Sequence, residues 1–178
     1  RMLSFLLVRL YTGILPTAEY GEVSIVLSWM VFFNVVLSYG METAFFRFYS
    51  AEEDKKNVIA TSTISIFWTS ILFLFAGLIF RNTLANLAEV DVQYITYTVW
   101  ILVLDALVLI PFSKLRANQR PMVYAAIKIG NVVINLLLNI FFLIYLPKLA
   151  ESNPNSIWDN LYVQNFQIAY IFIANLLA

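Results

Sequence analysis

Cysteine and histidine are both missing from these 178 residues, and their absence removes much chemistry at once. Disulfides, thiolate nucleophiles, Cys/His zinc sites and histidine acid/base catalysis are all excluded. Charge is scarce too: 12% of the residues are charged, against about 25% in a typical soluble domain. The 11 basic and 11 acidic residues cancel, which leaves no whole-chain argument for a nucleic-acid partner. What remains is apolar, 61% of the chain, so an ordinary cytosolic globule is ruled out. The chain opens on Arg1 rather than Met and stops at Ala178 inside an apolar run that is too short to span. It is therefore expected to be a piece of a longer protein. No signal peptide is visible, because Met2 to Leu15 lacks a small-residue cleavage site.

A membrane-spanning helix needs about 20 mostly apolar residues. Four stretches satisfy this, roughly 23–46, 58–80, 94–112 and 122–146, and two partial ones flank them at 2–15 and 164–178. The expected fold is an all-α integral membrane protein with about six transmembrane helices joined by short polar connections. The last connection carries Asn153-Pro154-Asn155 as a turn signal. Lys/Arg bias in short loops sets orientation. The second and fourth connections with their helix ends hold Arg47, Lys55, Lys56, Lys114, Arg116 and Arg120, whereas the first, third and fifth hold Arg81 and Lys148. Six against two places the second and fourth in the cytoplasm. Trp100, Trp158, Tyr20, Tyr94, Tyr97 and Tyr162 lie near predicted helix ends, where amphipathic rings favour the interface.

The fifth span is apolar except for one stripe. Tyr124, Lys128, Asn131, Asn135 and Asn139 recur at steps of four, three, four and four, within an arc of roughly 80° on a helix. Such a stripe must face something other than lipid. Asparagines alone are compatible with interhelical hydrogen bonding worth roughly 0.6 to 2 kcal/mol each. A lysine costs about 3 kcal/mol near the bilayer centre, which points to a wet cavity unless Lys128 snorkels to the headgroups. On the second span Ser24, Ser28, Ser38 and Glu42 share a face, with Asn34 at its margin. Glu42 and Arg47 are five apart, about 140° around a helix, so each needs a partner from elsewhere. Arg47 is either a positive-inside anchor or a phosphate ligand, for which its fork is well shaped. Asp105, deep in the fourth span, is either a proton relay or the partner of Lys128 in an interhelical salt bridge. Arg9 is an interface snorkeler or a second lumen cation. The hydroxyls of the third span, including Ser62, Ser65, Thr69 and Ser70, read as close helix packing.

With these features placed, the chain resembles bacterial polysaccharide flippases, the Wzx-like branch of the superfamily that also holds multidrug exporters and lipid II flippases. The resemblance is carried by Arg9-Leu10-Tyr11-Thr12-Gly13-Ile14-Leu15 with Glu19-Tyr20-Gly21, and by Tyr39-Gly40-Met41-Glu42-Thr43-Ala44-Phe45-Phe46-Arg47-Phe48. Pro111 with Leu115-Arg116-Ala117, and Ile127-Lys128-Ile129-Gly130-Asn131 continuing to Asn135 and Asn139, complete it. It implies that residues 1–178 form the amino-terminal lobe of a two-lobe transporter in the bacterial inner membrane, with a carboxy-terminal lobe as its partner. It further implies translocation of an undecaprenyl-diphosphate-linked oligosaccharide by alternating access. Arg9, Arg47 and Lys128 would bind phosphate, and Asn131, Asn135 and Asn139 would meet sugar hydroxyls or water. Glu42 and Asp105 would serve in pairing or in coupling to a proton or sodium ion, with no cofactor, resident metal or catalytic residue. The alternatives are a multidrug cation antiporter of the same superfamily, an enzyme acting on a polyprenyl carrier, and a structural scaffold. The enzyme is disfavoured by the lack of histidine and of a long catalytic loop.

Overall fold

The computed structural model describes residues 2–152 and 166–178. The expected turn at Asn153-Pro154-Asn155, the interfacial Trp158 and Tyr162, and the start of the last apolar stretch at Gln164 lie outside the described residues. Within them every regular element is helical: α1 (Met2–Ile14), α2 (Thr17–Ser38), α3 (Met41–Ala51), α4 (Lys55–Ile79), α5 (Arg81–Ala88), α6 (Val92–Ala117) and α7 (Pro121–Ile140). A π-helical segment, Phe141–Tyr145, then leads into α8 (Leu146–Ser152), and α9 covers Gln167–Leu177. Four stretches are long and apolar enough to cross a membrane: Thr17–Ala51, Lys55–Ile79, Val92–Ala117 and Pro121–Ala150. The first and last apolar stretches are helical but only 13 and 11 residues long. The fold class is all-α, and the four full-length stretches and two shorter flanking helices are found where the sequence places them among the described residues.

Several boundaries differ from those expected, each for a local reason. The predicted span 23–46 starts earlier and breaks where Tyr39 and Gly40 take φ of 32° and 71°. A glycine tolerates that left-handed geometry without a Cβ clash, and α3 restarts in a new direction. The polar stretch 81–93, read as a connection, contains α5, which ends on Glu89 at φ 55°. Asp91 and Asp54 cap the helices that follow them, accepting from Gln93 N at 2.8 Å, and from Lys56 N at 3.2 Å and Asn57 N at 3.3 Å. The fourth predicted span stops at 112, but α6 runs through Pro111 to Ala117. The fifth likewise continues past Pro147, preceded by the π-helical turn. A wide turn is a common way to absorb a missing donor and a bulky ring.

The chain forms two compact units, Val26–Lys128 and the combination of Arg1–Ile25 with Ile129–Ala178. In the first, α3, α4, α5 and α6 pack together around Phe45, Tyr49, Ile66, Leu102, Ala106 and Ile110. Its helix α4 follows the inverted logic of a membrane helix. Ser62, Ile66, Ser70 and Gly77 point inward and are buried, while Ile64, Trp68, Leu72, Phe75 and Ile79 are exposed. Hydrocarbon outside offers no hydrophobic drive for association, so close contact between small residues does the work. In the second unit α9 lies against the π-helical segment, with Tyr170 stacked on Phe142 at 5.4 Å.

Gly77 is the tightest of these contacts. A Cβ there would lie 2.7 and 3.0 Å from the two γ-methyls of Val99. Because both methyls face the glycine, rotating the valine does not clear the space. Gly77→Val is expected to destabilise the protein by about 1–3 kcal/mol through overpacking, read as a lower unfolding temperature in detergent. Val99→Ala in the same protein should restore much of the loss; failure to do so would contradict this α4–α6 approach.

Candidate functional site

Unit 26–128 carries a ribbon of polar and aromatic side chains along one face of α6. Asp105, Phe112 and Arg116 are spaced seven and four apart, which aligns them on a helix. Each meets a different neighbour. Asn34 on α2 donates its amide to Asp105 Oδ2 at 3.3 Å. Lys128 on α7 sets its ammonium 5.1 Å from the Phe112 ring centroid, and Phe112 meets Tyr124 edge-on at 5.7 Å. The Arg116 guanidinium forms an ion pair with Glu42 of α3 and lies 5.4 and 5.1 Å from the centroids of Phe46 and Tyr124. Cation–π contacts of this kind contribute about 0.5–1 kcal/mol where exposed and more when water is excluded.

Two of the expected partnerships are resolved by this arrangement. Glu42 does need a partner from elsewhere, and it is Arg116. Both side chains remain part-exposed, and Arg116 Nε is buried with no acceptor among the described residues. Asp105 and Lys128 do not form a contact ion pair. Asp105 is bonded to Asn34 and Lys128 sits over Phe112, although Lys128 is close enough for its charge to act on the carboxylate. Lys128 is exposed and makes no contact ion pair among the described residues. Arg47 is also exposed, on α3, and makes no hydrogen bond or ion pair among the described residues.

The rest of the stripe belongs to the other unit and behaves differently. Tyr11 of α1 donates its hydroxyl to Asn139 Oδ1 at 3.1 Å. The Asn139 amide donates to the carbonyl and side-chain oxygens of Asn135, each at 2.9 Å, and Asn135 donates to Asn175 Oδ1 at 2.6 Å. Asn139 is fully buried and Asn135 is 7% exposed. These two asparagines tie α1, α7 and α9 together, and their geometry is that of interhelical bonding rather than of a water-lined wall. Asn131 is exposed and donates to the Ala178 carbonyl at 2.6 Å. Arg9 is exposed on α1. Of the third-span hydroxyls expected to pack, Ser62 and Ser70 are buried, Ser70 Oγ without a partner among the described residues. Thr69, by contrast, is exposed and bonds back to the Ser65 and Ile66 carbonyls of its own helix at 3.0 Å, and Ser65 meets Tyr39 at 2.9 Å.

Arg116 is the residue that sequence reasoning missed. The polar stretch from Ser113 to Pro121 reads as a cytoplasmic connection that includes Arg116; once α6 continues to Ala117, the spacing to Asp105 and Phe112 places Arg116 in the ribbon. No cluster of three or more His, Cys, Asp or Glu side chains suited to a metal occurs among the described residues. The chemistry on offer is electrostatic and hydrogen-bonding: cations held beside flat rings and a displaceable carboxylate.

Residues 1–175 match the model of a family described as polysaccharide biosynthesis protein. No curated protein and no solved structure matches the chain.

The geometry makes two predictions. Cysteines introduced singly into this cysteine-free chain should react with a water-soluble maleimide at 131 and be protected at 135 and 139. Equal labelling at all three would contradict the buried amide network. Separately, a double-mutant cycle on Glu42→Gln and Arg116→Gln should yield a coupling on the order of 1 kcal/mol in unfolding free energy, and the charge-swapped pair should recover stability lost by either swap alone.

Proposed function

The chain belongs to the polysaccharide biosynthesis protein family, and from that premise we propose that it forms one lobe of a flippase. The cargo is an oligosaccharide linked through a diphosphate to undecaprenol, moved from the cytoplasmic to the periplasmic leaflet of a bacterial inner membrane. The observation that carries the reading is Lys128: an exposed ammonium on a membrane-spanning helix, held on an aromatic ring and free of a contact ion pair. Such a charge is costly unless an anion or water meets it, and a diphosphate is an anion that a membrane transporter must conduct past hydrocarbon. Arg116 offers a bidentate fork, and the rings of Phe46, Phe112 and Tyr124 offer apolar faces beside it, a combination suited to a phosphate next to a sugar.

In this reading Lys128 and Arg116 bind the diphosphate, with Arg47 as a further cation of the same unit; Arg9, in the other unit, is a phosphate ligand only as the resemblance implies. Glu42 holds Arg116 when cargo is absent and yields it when phosphate arrives, so the same guanidinium is paired in both states. Binding thus exchanges one charge partner for another, and a ligand can drive a conformational change only through such differential contacts. Asn131 remains a candidate contact for sugar hydroxyls. Asp105, exposed and bonded to Asn34, is the candidate for coupling to a proton or sodium ion. That acid also supports the second reading, a multidrug cation antiporter, because a cationic drug would seek Asp105 rather than Lys128.

Surface polysaccharide measured in cells that depend on the full-length protein separates the two. Lys128→Ala and Arg116→Ala are each expected to reduce export by about tenfold or more, as loss of a buried charged hydrogen bond would, while Lys128→Arg retains most of it. Normal export by both alanine variants, with drug resistance lost in Asp105→Asn, would replace the flippase by the antiporter.

A further inference from the structure

Unit 26–128 also contains an apolar groove of about 350 Å³, at the edge of the size range of small-molecule sites. Its walls are drawn from residues 26–33 of α2, 73–77 of α4 with Phe80 just beyond it, and 95–102 of α6, and Leu84, Leu87 and Ala88 of α5 line one end. Each wall covers seven residue steps, which makes the groove about 10 Å long and parallel to the spanning helices. Its floor is the close approach of Gly77 to Val99. Aromatic rings form much of the lining: Trp29 and Phe33 stack at 5.7 Å, and Phe33 meets Phe73 at 5.8 Å. Thr98 brings a hydroxyl to the wall, but it is spent on the Tyr94 carbonyl at 2.7 Å.

Water has no business in such a space, because it needs two to four polar partners and finds none offered. An empty void forfeits the dispersion contacts of every atom that lines it. The surrounding medium of a membrane-spanning bundle supplies the filler: a hydrocarbon chain that already runs parallel to the helices. The charge pattern at the α5 end agrees. The exposed Arg81 follows Phe80, a lining residue, and opens α5, whose Asn82, Thr83 and Asn86 are likewise exposed. A cation beside amides and a hydroxyl, at the end of a chain-shaped groove, matches a phosphate headgroup.

We propose that this groove is a binding site for one acyl chain of a membrane phospholipid, with the headgroup phosphate beside Arg81. The site holds a structural lipid and is separate from the ribbon on α6 that the flippase reading uses.

Trp29 provides its own probe. In the full chain with Trp68, Trp100 and Trp158 replaced by Phe, phosphatidylglycerol brominated on its acyl chains and titrated into detergent should quench Trp29 fluorescence saturably. A form retaining only Trp68, which is 65% exposed on α4 and absent from the lining, should show no saturation. Ala88→Phe and Ala76→Phe fill the groove from different walls, and each should abolish the saturable quenching; Arg81→Glu should shift it to higher lipid. Saturable quenching that survives both filling variants, or Trp68 behaving like Trp29, overturns the site. Displacement of the brominated lipid by an equal amount of undecaprenyl phosphate would overturn the assignment to a phospholipid, assigning the groove to the carrier's tail instead.

Discussion

Hydrocarbon cannot accept or donate a hydrogen bond, so every polar group carried on a spanning helix must be satisfied within the protein or kept in contact with water. This constraint organises α4, α6 and α7. On α4 the hydroxyl of Thr69 returns to its own backbone, and the small residues Ser62, Ser70 and Gly77 turn inward where they let α6 approach; the buried hydroxyls of Ser70 and, on α6, Ser113 are exceptions with no partner among the described residues. On α6 Thr98 bonds its own helix, Asp105 takes an amide from α2, and Arg116 takes a carboxylate from α3. On α7 the asparagines bond each other and the flanking helices. Tyr124 and Lys128 are the stripe residues that meet rings instead of hydrogen-bonding partners among the described residues, and of the two only Lys128 carries a charge.

The departures from regular helix are what bring these partners together. The left-handed residues Tyr39 and Gly40 separate α2 from α3. The break frees α3 to present Glu42 and Phe46 to Arg116, while Phe45 and Tyr49 bury themselves in the core of the same unit. Tyr49 then anchors the far end, donating to Asn118 at 2.8 Å just past the end of α6. Pro111 has the opposite effect: the helix tolerates it, and the extra turns beyond it carry Arg116 onto the face shared with Asp105 and Phe112.

Composition and hydrophobic runs were enough to read an all-helical membrane protein from the sequence, because long apolar stretches leave few alternatives. The boundaries were less legible. The polar residues after 112 and after 146 read as connections, although both helices continue into them and a membrane helix can retain proline when its neighbours satisfy the freed carbonyl, and the polar stretch 81–88 concealed the short amphipathic α5. The stripe on α7 was visible as periodicity, and the need of Glu42 for a remote partner followed from its angle to Arg47. The identity of that partner, Arg116, depended on two helix ends meeting, which no local pattern encodes. The choice of Asp105 between Lys128 and Asn34 was equally out of reach, since both lie on neighbouring helices at compatible depths.

A stripe that looks uniform in sequence is therefore two devices on one helix. Toward its start, Tyr124 and Lys128 face α6 and its aromatic and charged ribbon. Further along, Asn135 and Asn139 are buried in amide bonds to α1 and α9. The difference follows from what each side chain can complete. An asparagine presents both donor and acceptor, so two of them and a tyrosine can satisfy one another in a dry interface. A lysine presents donors only and carries a full charge, so it cannot be sealed away without an anion. Helix α7 thus fastens one unit with its amides while carrying an exposed cation in the other.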